Sequence, residues 1–323
     1  MITVKTPTRI DLAGGTLDIW PLSAMFAPSV SVNAAIDLYA TIEARKTRKS
    51  RDVLIKNVNT GAVVKYSKNT PEAKKTLFHR ALDIIPLEGW EFSATSTSPA
   101  GAGLGGSSSM LVAFLRTLDK ICGCGMTDGD ILDTAKNIEA RHLGIPTGVQ
   151  DYVAALNGGV NAVLNNKHGQ ESRALPVNPD EVERRVVLVY SGVSRVSGAP
   201  NWSMMKKAVE KDAKTTDAFE RIARNSLDVM SALLDGKYSK VGRLVDVEST
   251  QRELLGRGVI TPVLRKAFSL AVKNGGHPKV CGAGGGGCFL VWCDPDKKKS
   301  ITTSLRESGL RVLDFKVAPE NQK

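Results

Sequence analysis

The first twelve residues alternate apolar and polar side chains and run into Gly14-Gly15, the pattern of a strand entering a glycine turn. Over 30–44 the alternation is regular. Val32, Ala34, Ile36, Leu38, Ala40 and Ile42 fall at period two, which predicts a half-buried strand. Shorter strands are predicted at 53–56 and 62–66, on either side of Asn57-Val58-Asn59-Thr60-Gly61. Helical spacing takes over at 72–85, and an extended stretch at 91–98 stops at Pro99. Glycines and serines fill 101–109, and an apolar run of helical length, 110–121, follows. A helix over 128–142 carries Ile131, Leu132, Ala135 and Ile138 as its stripe, with Asp128 as the expected cap. Another starts near Val149 and ends before Gly158-Gly159.

Residues 165–184 are hydrophilic and are the expected connection between two domains. A strand at 186–190 opens the second half. Helices are then predicted at 203–235 (bent or broken near 224–226), 238–255 and 261–274. Strands at 279–282 and 287–293, a helix at 296–308 and a strand at 310–317 complete the chain. Strands mixed with helix pairs predict an α+β protein of two domains, 1–175 and 185–323.

The length of 323 residues suits two domains, and 42% apolar residues supply a core. A formal charge of +11 favours anionic partners. The basic residues are dispersed without interleaved aromatics, so no nucleic-acid partner is expected. Five cysteines, an odd number, do not suggest a disulfide scaffold, and Cys122/Cys124 lacks the usual zinc spacing. No stretch approaches the roughly 20 apolar residues that cross a membrane, and the default expectation is a cytoplasmic monomer or homodimer acting on a small molecule.

The strongest local signal is the segment Pro99, Ala100, Gly101, Ala102, Gly103, Leu104, Gly105, Gly106, Ser107, Ser108 and Ser109. Glycines let backbone N–H groups close on an anion, and the start of a helix adds free donors and a positive dipole end. Serine hydroxyls in the first turn can reach phosphate oxygens or a cation. No Gly-Lys-Ser/Thr closes the loop as in a Walker motif, and the glycine spacing is not that of a dinucleotide fold.

This segment resembles the second motif of the galactokinase, homoserine kinase, mevalonate kinase and phosphomevalonate kinase (GHMP) superfamily, Pro-x-x-x-Gly-Leu-Gly-Ser-Ser-Ala. Pro7-Thr8-Arg9-Ile10-Asp11-Leu12-Ala13-Gly14-Gly15 resembles its first motif and Gly282-Ala283-Gly284-Gly285-Gly286-Gly287 its third, in the family's order. The resemblance implies an N-terminal domain like ribosomal protein S5 and a ferredoxin-like C-terminal domain. It also implies ATP and Mg2+, with direct transfer of the γ-phosphoryl group to a substrate hydroxyl. A heptose 7-phosphate or another aldose is the favoured acceptor, and an anomeric kinase of a neutral sugar is the alternative. A noncatalytic nucleotide- or nucleic-acid-binding protein on an S5-like domain is the reading outside enzymes.

Roles carry over residue by residue. Pro99, Gly101, Ala102, Gly103, Leu104, Gly105, Gly106, Ser107, Ser108 and Ser109 are implied as the ATP phosphate loop. Gly106 stands where the motif has its first serine, so Ser107 matches the magnesium ligand, with Ser108 next if the register slips. Glu139 is implied as the magnesium carboxylate; on its own it reads as a solvated helix residue. Asp151 corresponds to the family's catalytic aspartate, as the base or as the carboxylate that orients the substrate hydroxyl, and Arg9 to the basic residue facing it, although an Asp at a helix start also caps. Asp18 matches a sugar-binding aspartate or forms a local turn. The galactokinase pattern has a Glu three residues before that aspartate, where this chain has Gly15. Arg195 is a candidate for a substrate phosphate or a solvated loop residue, and Gly285 is a candidate at the substrate cleft.

Overall fold

The computed structural model describes residues 1–47, 50–194, 198–256 and 258–321. Seven strands form the first sheet: β1 (Ile2–Ala13), β2 (Ser29–Lys46), β3 (Val53–Asn57), β4 (Val63–Lys65), β5 (Trp90–Ser96), β6 (Val160–Asn166) and β7 (Gly169–Ala174). The long β2 is its spine. It pairs antiparallel with β1 from Ala13↔Val32 to Ile2↔Ala44, with β6 along its first part and with β5 along its last. The β1–β2 register shifts at Pro7/Thr8 and at Asp11/Ala13. Such irregularities re-aim side chains, and these two flank the segment that carries Arg9 and Asp11.

The helices are α1 (Leu22–Met25), α2 (Leu77–Ile84), α3 (Gly106–Cys122), α4 (Asp128–Leu143), α5 (Gln150–Asn157), α6 (Pro179–Arg185), α7 (Gly198–Val209), α8 (Ala213–Leu234), α9 (Tyr238–Leu255), α10 (Pro262–Lys273) and α11 (Lys298–Glu307). On one face of the first sheet, Leu111, Phe114, Leu115 and Leu118 of α3 pack with Ile42, Phe92 and Ile138. Each such side chain contributes about 1.5–3 kcal/mol by leaving water, so α3 is held firmly behind the loop that precedes it.

A second sheet holds β8 (Val186–Tyr190), β9 (His277–Val280), β10 (Cys288–Trp292) and β11 (Arg311–Leu313), all antiparallel in the order β11-β8-β10-β9. Among the described residues four helices separate β8 from β9 and one separates β10 from β11. That is the β-α-β-β-α-β path of a ferredoxin-like sheet. Ile10, Val32 and Ile36 of the first sheet share one core with Leu188, Leu290, Trp292 and Val241. Among the described residues, no helix is long and apolar enough to cross a membrane.

Four expectations are corrected. The hydrophilic stretch 165–184 contains β7 and α6; β7 is an edge strand exposed at all six positions, so its composition hides it. The helical stretch 203–235 breaks between α7 and α8, where Asp212 caps Thr215, and runs unbroken through 224–226. Thr127, not Asp128, caps α4, in a capping box with Asp130, while Asp128 pairs with Arg116. Finally, α3 starts at Gly106 rather than at Met110, so the serines belong to its first turn. Cys122 and Cys124 form a disulfide at the far end of α3.

Candidate active site

A cavity of about 660 Å³ is walled by the 99–108 segment, by Asp18, Glu139, Gln150 and Asp151, and by Gly282 and Ala283. Gly101, Gly103 and Gly105 have φ of +66°, +72° and +73°. Side chains rarely accept that backbone, so the path of the loop requires glycine. At Gly105, the residue before α3, an added Cβ would lie 2.9 Å from Cγ of Asp151. The helix start and the carboxylate are therefore as close as glycine permits. The first amides of α3 have no intrahelical acceptor and face this space with the positive end of the dipole.

Arg9 ties three segments together from β1, where it is 5% exposed. Its Nε donates to Asp151 Oδ1 at 2.7 Å, Nη2 lies 2.5 Å from the same oxygen, and Nη1 donates to Gly103 O at 2.8 Å. The Arg9 amide donates to Leu104 O at 2.9 Å. Burial works against the charge on Arg9, but Asp151 and then Asp11 outweigh it and hold its pKa above the ordinary value. A fixed cation therefore stands beside Asp151.

Glu139 reaches the cavity from α4. Its Oε2 accepts from Ser108 Oγ at 2.6 Å and from Tyr152 OH at 2.5 Å. Burial pushes its pKa up and Asp151 adds to the rise, against hydrogen bonds from Ser108, Tyr152 and Ser107. Among the described residues no Lys or Arg pairs with it. Asp18, 1% exposed, accepts the Gln150 amide at 2.9 Å and Gln150 Nε2 at 3.3 Å. Its backbone lies in the turn after β1, and its carboxylate closes the start of α5 from 132 residues away. Burial raises its pKa, the Gln150 amide lowers it, and Asp151 raises it further. Gly148 leaves room for this contact, since a Cβ there would stand 2.1 Å from Asp18 Oδ2.

The structure thus brings Arg9, Asp18, Glu139 and Asp151 to one cavity with Pro99, Gly101, Ala102, Gly103, Leu104, Gly105, Gly106, Ser107 and Ser108. Two expected residues, Ser109 and Gly285, stand apart, and a third lies outside the described residues. Ser109 is fully buried and donates to the Thr6 and Pro7 carbonyls, pinning α3 to β1 instead of facing the cavity. Gly285 is not on the wall; its amide donates to Val259 O at 2.9 Å. Arg195 lies outside the described residues. Two further residues stand on the wall. Gln150 Oε1 is buried without a hydrogen-bond partner among the described residues, and Arg311, exposed on β11, is a second cation on this wall beside Arg9.

The last glycine run closes the far side. Cys288 N donates to Ala102 O at 2.6 Å. Gly287, at φ +70°, would put a Cβ 2.6 Å from that same oxygen. Gly287→Ala is therefore expected to push the loop off the second sheet and lower kcat/KM for ATP by about 10²-fold, the scale of a 1 Å misplacement. Initial rates against ATP check this.

A glycine loop opening a helix, with an Arg–Asp pair at its mouth, defines a class of phosphate-handling protein. Residues 65–159 match the family model of the GHMP kinases N terminal domain and residues 229–310 that of the GHMP kinases C terminal, together more than half of the chain. The chain belongs to the GHMP kinases and has their two-domain fold. It is 27% identical to the D-glycero-alpha-D-manno-heptose 7-phosphate kinase of Campylobacter jejuni, over 100% of this chain and 98% of that protein. With the mevalonate kinase of Methanocaldococcus jannaschii it shares 22% identity, over 97% and 99%. A crystal structure of a D-glycero-D-manno-heptose 1-phosphate kinase from Bacteroides thetaiotaomicron matches it with a TM-score of 0.77 at 22% identity, covering 99% of this chain and 97% of that one.

Proposed function

We propose that the protein is an ATP-dependent sugar kinase that transfers the γ-phosphoryl group to a hydroxyl of a sugar phosphate, with a heptose 7-phosphate as first candidate. One observation carries the reading: the Arg9–Asp151 pair is fixed against the start of α3, in the cavity that also takes Asp18 and Gln150. In this reading the Asp151 carboxylate takes the proton of the acceptor hydroxyl as its oxygen bonds to the γ-phosphorus. The bond from that phosphorus to the ADP oxygen breaks, and no phosphoenzyme forms. Arg9 offsets charge on the moving group from its fixed position. Asp18 and Gln150 Oε1, which has no partner among the described residues, offer acceptors for sugar hydroxyls. Arg311 and the net positive charge suit a phosphorylated substrate.

The donors around Glu139 fit a magnesium ion. A carboxylate lacking a cation stands beside the hydroxyls of Ser108 and Ser107, and hard oxygen donors are what Mg2+ takes. Glu139 with Ser107, or with Ser108, whose hydroxyl donates to it, would hold the ion, which supplies charge neutralisation at the ATP phosphates when bound. Glu139→Gln is expected to raise the Mg2+ concentration for half-maximal activity by about 10-fold, the 1–2 kcal/mol scale of a charged contact. Unchanged magnesium dependence would remove Glu139 from this role.

The direct test is a MgATP phosphorylation screen over D-glycero-D-manno-heptose 7-phosphate, fucose, galactose, arabinose and mevalonate, with product NMR to locate the phosphate. Turnover of a neutral sugar alone would move the reading to the anomeric kinases. Turnover of mevalonate with no sugar accepted would sink it.

A further inference from the structure

Four charged side chains lie inside the protein where the two sheets meet: Asp11 on β1, Glu248 and Arg252 on α9, and Lys279 on β9. None is more than 1% exposed. Lys279 Nζ lies 3.1 Å from Asp11 Oδ1 and 3.1 Å from Glu248 Oε1. Arg252 Nε donates to Glu248 Oε1 at 2.8 Å, and Nη2 lies 3.5 Å from Asp11 Oδ2. The signs balance, two against two. Buried charge is expensive unless fully paired, so such a cluster asks what it holds.

It holds the turn after β1. Glu248 Oε2 accepts the Gly14 amide at 2.9 Å, and Arg252 Nη2 donates to Gly15 O at 2.6 Å. On its other side Arg252 Nη1 donates to Gly282 O at 3.4 Å, in the last glycine run. The turn lies flush on the cluster, because a Cβ at Gly15 would stand 2.1 Å from Asp11 Oδ2 and 2.9 Å from Arg252 Nη2. The next residue, Thr16, has φ +77°, a conformation costly for a β-branched side chain. Thr16 is on the cavity wall and only 5% exposed. Strain of this kind persists only where the surroundings over-determine it, and the two clamped glycines directly precede it. Asp18 follows two residues later.

We infer that the Asp11–Arg252–Glu248–Lys279 network is a positioning device for the acceptor: it preforms the Gly14–Asp18 wall and ties it to Gly282, so the acceptor site stands ready before substrate arrives. The inference rests on the proposed reading of Asp18 as an acceptor ligand. Its members are positioning residues, since they touch the turn and not the reacting atoms. Electrostatics extend the link, because Asp11 adds to the field on Arg9, and Asp18 to that on Arg252.

Arg252→Lys keeps the charge, but one nitrogen cannot span Glu248, Gly15 O and Gly282 O together. Gly15→Ala keeps all four charges and pushes the turn away. Each is expected to raise KM for D-glycero-D-manno-heptose 7-phosphate by about 10-fold or more while KM for ATP stays within about twofold, the split of a misplaced acceptor wall. An unchanged acceptor KM, or both KM values rising together, would overturn the inference. Hydrogen exchange on the substrate-free wild-type protein needs no variant. The amides of Gly14 and Leu17, which donate to Glu248 and to Gly14 O, should exchange as slowly as the β1–β2 ladder; fast exchange at both overturns a preformed wall. If the wild-type enzyme phosphorylates no sugar, the proposed function fails, and exchange alone still decides whether the clamp exists.

Discussion

Asp151→Asn is expected to lower kcat by about 10²–10⁴-fold, the range that a positioned general base supplies, with ATP affinity nearly unchanged. The amide has the shape of the carboxylate, so it fits beside Gly105, where the gap to an added Cβ is already 2.9 Å. Its oxygen can still accept from Arg9, so the links from Arg9 to Gly103 and Leu104 have no reason to break. What disappears is an oxygen able to receive the hydroxyl proton and the negative charge that balances a buried guanidinium. Single-turnover rates at saturating ATP, beside calorimetric ATP binding, separate the two effects. A kcat within a few-fold of wild type would reduce Asp151 to an anchor for Arg9. Loss of ATP binding would mean that the loop depends on the ion pair for its shape.

How much of this was legible in the sequence depended on how local each signal was. The phosphate loop could be read because its glycines are consecutive and its helix follows at once, and the structure adds only that α3 begins at Gly106. The three glycine-bearing segments could be placed in order, and they do line one cavity. Neighbouring serines could not be told apart. Each residue turns a helix by about 100°, so Ser108 reaches Glu139 while Ser109 bonds back to β1. Long-range partners were equally hidden. Asp18 reads as a turn residue, and nothing local shows that its carboxylate meets α5 from 132 residues downstream.

Polar residues inside helices misled for a related reason. Asn225 and Ser226 look like a helix break, yet both are buried partners. Asn225 Nδ2 donates to Leu244 O, and Ser226 Oγ accepts the Val30 amide. Glu248 and Arg252, four apart on α9, have the spacing of a solvated surface pair. Only the packing of α9 on β1 and β9 turns them into half of a buried network whose other members are Asp11 and Lys279.

That network leads to the largest expected loss of stability. Lys279→Met leaves Asp11 and Glu248 to share Arg252, one negative charge in excess inside the protein. Breaking a buried pair from one side costs about 3–5 kcal/mol. At about 2–4 °C per kcal/mol for domains of ordinary size, that is a fall of roughly 10 °C in Tm. The sign of the pH effect follows from Asp11. In the wild-type protein burial raises its pKa, but Lys279 and then Arg252 outweigh burial and hold it below the ordinary carboxylate value. Without Lys279 the largest opposing influence is gone, so the Asp11 pKa rises relative to the wild-type protein. The variant then takes up this proton at a higher pH than the wild type does, so acid narrows the difference between them. The Tm deficit should therefore shrink from about pH 8 towards about pH 5, as the excess charge is neutralised. Adding Glu248→Gln restores balance by removing one charge of each sign, so the double variant should melt above Lys279→Met alone. A double variant that melts below the single one would mean that the hydrogen bond from Gly14 to Glu248, rather than charge balance, sets the stability of this junction.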